Sequence, residues 1–121
     1  MIKSIIETDN GGFHKIVITG KNPGDLGWLM HQEVLSVIKK LPGEKLLIDI
    51  TALEGRPDIV RSIHLADSIR KETKLDLHKM AIVERAENKA TASDEELVLS
   101  NRGIPIRFFY DEAGALKWLM E

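Results

Sequence analysis

Residues 45–51, Lys-Leu-Leu-Ile-Asp-Ile-Thr, constrain this chain more than any other stretch. A near-continuous apolar run of this kind suits a central strand buried on both faces, because a strand with one wet face alternates apolar and polar residues instead. Such a strand needs covering layers on either side, and the rest of the sequence supplies their pattern. Apolar β-branched runs alternate with segments in which apolar residues recur at helical spacing.

Upstream, Ile2 to Glu7 and Phe13 to Thr19 are β-branched runs separated by Thr8-Asp9-Asn10-Gly11-Gly12. Asn-Gly-Gly accepts positive φ, so these residues predict a hairpin. Asp25 can cap a helix in which Leu26, Met30, Val34, Val37, Ile38 and Leu41 form the apolar stripe, and Pro42-Gly43 ends it. Pro57 can open a second helix with Ile59, Ile63, Ala66 and Ile69 inward. His78 to Glu84 reads as a strand. Ala86 to Asn101 reads as a helix with Leu97, Val98 and Leu99 inward, stopped by Gly103, and Ser93 with Glu96 can form a capping box. Ile104 to Tyr110 reads as the fifth strand. Asp111 then caps a short helix reaching Met120, whose Trp118 and Leu119 are expected to close the core.

The predicted order is ββαβαβαβα in one α/β domain over 1–121. Strands alternating with helices imply parallel pairing in the later part of the sheet. The expected architecture is a five-stranded mixed sheet with Leu46, Leu47, Ile48 and Ile50 at its centre.

Composition removes several function classes. With no cysteine among 121 residues, disulfides, thiolate catalysis and cysteine-held metals are excluded. The same absence fits a reducing compartment, and residues 1–6 are too polar for a signal peptide, so a cytoplasmic location is expected. Seventeen basic residues against nineteen acidic ones give no steering field for nucleic acid or an anionic membrane. No apolar stretch reaches membrane-spanning length. His14, His31, His64 and His78 fall on four different elements, none at metal-site spacing, so no metal is expected. Gly20-Lys21-Asn22-Pro23-Gly24-Asp25 lacks the spacing and terminal Lys-Ser/Thr of a phosphate loop.

Three features can still carry function. Asp49 ends the central strand; a buried carboxylate there can be catalytic, or it can cap the amides of the loop that follows. Trp28, Leu29 and Met30 make the start of the first helix apolar around much of its circumference, which suits core packing, an interface or a ligand wall. Glu54-Gly55-Arg56-Pro57-Asp58 places three charges, a flexible glycine and a rigid proline between the carboxyl end of a strand and the start of a helix. Ligands of open α/β sheets favour that edge, and solvated turns also look like this.

The element order, with Asp49-Ile50-Thr51-Ala52-Leu53 and Phe108-Phe109-Tyr110-Asp111 leading into Ala115-Leu116-Lys117-Trp118-Leu119, resembles the SpoIIAA-like (STAS/SEC14-like) family. That family is related to the STAS domains of anti-sigma-factor antagonists. The first stretch is similar to the Asp-aliphatic-Ser/Thr-x-aliphatic pattern at the end of the third STAS strand. The second is similar to the branch's ending on a strand with Phe, an acidic cap and Ala-x-x-Trp-Leu. Regulatory STAS domains continue into Asp-Ser-Ser-Gly and are phosphorylated on the first serine. A gapless reading places Asp58 at that position, and neither Thr51 nor Ser62 fits it. A carboxylate cannot receive the phosphate and only partly imitates its charge.

The resemblance implies a regulatory or interaction domain that docks a protein partner through the loop after the third strand without the serine phosphoswitch; the sequence offers no nucleophile–base–orienter set, so an enzyme is not expected. Its binding residues would be Asp49, Thr51, Glu54, Gly55, Arg56 and Asp58, with Glu54, Arg56 and Asp58 as an exposed charged rim. The alternative is a SEC14-like domain binding a small apolar molecule or lipid. No cofactor is expected, and a homodimer is left open.

Overall fold

The computed structural model describes residues 2–21, 36, 39–40, 45–56, 60, 63–64, 67–68, 71 and 79–121, with the backbone alone for 2–7. Its frame is one mixed sheet. β1 (Ile2–Asp9) and β2 (His14–Lys21) form the expected antiparallel hairpin, in which Ile5 faces Ile18 and Asp9 faces His14. The Asn10 amide donates to the Phe13 carbonyl at 2.9 Å, while Gly11 and Gly12 take φ of 66° and 104°. Those positive angles are what the two glycines supply.

β3 (Lys45–Asp49), β5 (Lys79–Val83) and β6 (Ile106–Phe109) run parallel to β2, in the spatial order β1-β2-β3-β5-β6. The apolar run at 45–49 is thus the middle strand, as its composition predicts. A sixth strand, β4 (Leu53–Glu54), lies in what reads from sequence as a loop. β2 outruns β3; after a turn at Thr51-Ala52 the chain returns to pair Leu53 with Gly20 and Glu54 with Lys21.

The expected helices over 25–41 and 57–69 lie largely outside the described residues, and with them Trp28, Leu29, Met30 and the stripe from Leu26 to Leu41. Helical positions described in these stretches and just beyond are Ser36, Lys39, Val60, Ile63, His64, Asp67, Ser68 and Lys71. α1 (Lys89–Asn101) follows a 3-10 turn at Ala86–Asn88. It is ordered well before Ser93, and Glu96 makes a different bond from the expected capping box, accepting from the Phe108 amide at 2.6 Å. Gly103 ends α1 with φ 82°, and Ile104 N–H reaches back to Leu99 O at 3.1 Å. This is the Schellman pattern that glycine permits. Leu97, expected inward, is 62% exposed, whereas Leu99 is buried. In α2 (Glu112–Leu119), Asp111 Oδ1 accepts from Gly114 N–H at 2.6 Å as the expected cap.

Strand alternation divides the core between the two faces of the sheet. Ile16, Ile18, Leu46, Ile48, Met80, Ile82, Ile106 and Phe108 pack on one side with Ala92 and Leu99 of α1. Leu47, Ala81 and Val83 pack on the other with Ala115 and Leu119 of α2. Trp118 is half-buried and packs against this second cluster, as a core-closing helix requires. Its ring lies 5.6 Å from that of Phe109, and Lys79 Nζ sits 4.9 Å above it while donating to the Trp118 carbonyl at 2.8 Å. Among the described residues no helix is long and apolar enough to cross a membrane.

Candidate functional site

The loop after β3 begins with a local cap. Asp49 Oδ1 accepts from the Thr51 amide at 2.9 Å and from the Thr51 hydroxyl at 2.7 Å. A short acidic side chain two residues before an amide can close such a turn on itself. The capping alternative for Asp49 is therefore the one seen. The Ile50 amide meanwhile donates to Val83 O at 3.0 Å, extending the β3–β5 ladder by one bond before the chain turns away.

Arg56 holds the far end of the loop. Its Nε and Nη2 donate to the two carboxylate oxygens of Glu84, each at 2.5 Å. Nη1 donates to Leu53 O at 2.6 Å and Gly55 O at 2.7 Å, and Nη2 also reaches Ile50 O at 3.1 Å. A guanidinium has five N–H donors, and this one has a partner for each. Gly55, with φ 78°, sits in the left-handed region and turns the chain into this arrangement.

Glu84 is only 2% exposed and the Arg56 side chain 11%. Arg56 is therefore not part of an exposed rim. The expectation is corrected for a physical reason: a planar fork that satisfies three loop carbonyls and a buried carboxylate at once must point inward. Glu84 Oε1 also accepts from the Arg85 amide at 2.7 Å and from Asn88 Nδ2 at 3.2 Å. Burial pushes the Glu84 carboxyl up, but the Arg56 hydrogen bonds, the Arg85 amide and Asn88 outweigh it and hold it below its ordinary value. The pair is a bidentate, desolvated ion pair joining the loop to the end of β5.

Glu54 and Gly55 remain exposed and Thr51 is half-buried, while Asp58 lies outside the described residues. Glu84 is the central residue that sequence reasoning passed over, as no more than the last residue of a strand. Its one signal was an acidic residue directly after the apolar run Met80-Ala81-Ile82-Val83; its partner stands 28 positions earlier. Among the described residues, no three His, Asp or Glu side chains gather as metal ligands would.

A crystal structure of an uncharacterized DUF3478-family protein with a SpoIIAA-like fold, from Shewanella loihica PV-4, superposes with a TM-score of 0.57, covering 98% of this chain and 92% of that one. The fold is SpoIIAA-like. At 20% identity the likeness speaks for the SpoIIAA-like architecture alone. Neither a protein-family model nor a curated protein matches the sequence. In this SpoIIAA-like domain β2, β3, β5 and β6 progress across the sheet without reversal. The described strands therefore form no switch-point crevice of the kind that seats ligands in doubly wound sheets.

Proposed function

We propose that this SpoIIAA-like domain is a non-enzymatic interaction module that docks a protein partner through the loop from Thr51 to Arg56, constitutively and without a serine phosphoswitch. The observation that carries the proposal is the Arg56–Glu84 clasp. It fixes the loop backbone at Ile50, Leu53 and Gly55. A loop already fixed loses little conformational freedom on docking, and that favours binding. Beside the clasp, Thr51 is tied to Asp49, and Glu54 and Gly55 face outward. The carboxylates that acid–base chemistry would use, Asp49 and Glu84, are engaged in holding the loop, which favours docking over catalysis.

The test is site-specific photo-crosslinking in native lysate, with the crosslinker at position 54 and, as a control, at the exposed position 117 on α2. The expected result is an adduct of defined mass from position 54 and none from 117. An equal pattern from both positions, or no adduct from 54, removes the loop from the interface.

A further inference from the structure

β6 ends the sheet among the described residues, and such an edge ordinarily presents free amides to any passing strand. The carbonyls of Pro105 and Phe109 accept from Met80 and Glu84, so the odd-numbered residues of this segment face β5. By the alternation of a parallel ladder, the amides of Ile106 and Phe108 face away from the sheet. Neither is offered to solvent. The Ile106 amide turns back onto Ile104 O at 2.9 Å, and the Phe108 amide donates to Glu96 Oε1 of α1 at 2.6 Å. Arg107, exposed in the middle of the strand, adds a charge that an incoming strand would have to accommodate.

We propose that the β6 edge is closed to strand addition and that Glu96 is its latch, the occupant kept out being β6 of a second copy of this chain. Three features of this edge act in the same sense: the turned-back Ile106 amide, the Glu96 bond to Phe108 and the exposed Arg107. Only the Glu96 bond comes from another element, so it alone can be removed without altering the strand. Opened, the edge would pair antiparallel with its own copy about a twofold axis, the arrangement in which each strand meets the same surface on its partner.

The experiment compares wild type, Glu96→Ala and Glu96→Gln in the full chain, folding being checked by circular dichroism. Amide hydrogen exchange at Phe108 and sedimentation equilibrium over a range of concentrations are the readouts. In Glu96→Ala the Phe108 amide should exchange about tenfold faster, since a hydrogen bond to a charged acceptor is lost. The variant should also self-associate at concentrations where wild type does not change its state. Glu96→Gln keeps an oxygen acceptor and should restore both properties toward wild type. Two results overturn the proposal: Phe108 exchange in Glu96→Ala within twofold of wild type, or faster exchange with unchanged association.

Discussion

Arg56→Ala is the sharpest test of how the loop is held. The substitution leaves Glu84, 2% exposed, as a carboxylate in a site that excludes water, and strips donors from the carbonyls of Ile50, Leu53 and Gly55. Removing one member of a buried ion pair costs about 3–5 kcal/mol. The loop carbonyls can recover water, so the lower half of that range is expected. Urea melts followed by tryptophan fluorescence at about pH 7 measure it.

The pH dependence checks the cause. Wild-type Glu84 is held below its ordinary 4.5, so its contribution is present above that value and lost as pH falls through the lower folded value. Without Arg56, burial acts with far less opposition and raises the carboxyl. The variant's deficit should then be largest near neutrality and shrink toward about pH 4, where protonation removes the buried charge. The double variant Arg56→Met, Glu84→Leu replaces the pair by apolar groups and should recover most of the loss. A deficit under about 1 kcal/mol for Arg56→Ala, or one independent of pH, would refute this account of the clasp.

Leu119→Ala should cost about 2–5 kcal/mol in the same melts, because that side chain is 0% exposed beneath the sheet. Trp118→Ala, half-buried, should cost about 2 kcal/mol, below the 3–5 kcal/mol typical of a fully buried ring; the reverse ranking would show that α2 seats differently. Gly55→Ala places a Cβ at φ 78° and should cost about 1–2 kcal/mol while leaving the far hairpin unaffected, as amide exchange of β1 and β2 can verify.

Much of the frame was legible because it is locally encoded. Asn10-Gly11-Gly12 announces its turn, Asp111 its cap and Gly103 its stop, and the run at 45–49 announces a central strand. What escaped reading is tertiary. β4 is two residues long and exists only because β2 extends past β3. Leu97 sits at a plausible inward spacing, yet the sheet contacts select Ala92 and Leu99. Glu96 matches a capping box in sequence but bonds to a strand that follows it. In the loop after β3 one side chain departs from its reading. The alternate charges Glu54, Arg56 and Asp58 read as an exposed rim, while Arg56 turns inward toward a carboxylate whose identity no nearby residue hints at.

The middle position of β3 has a consequence before the native state exists. In the finished sheet both of its edges are paired, to β2 and to β5. Among the described strands the β1–β2 hairpin is the one pairing that closes locally; each parallel pairing must first close a crossover. While those crossovers are open, Leu46-Leu47-Ile48 is an apolar, β-prone segment with two free edges, the kind of window through which chains aggregate. Lys45 and Asp49 bracket it with opposite charges, in the manner of gatekeepers that make misregistered stacking unfavourable. Asp49 therefore serves the chain twice: as a guard during folding, and afterwards as the cap that closes the turn at Thr51.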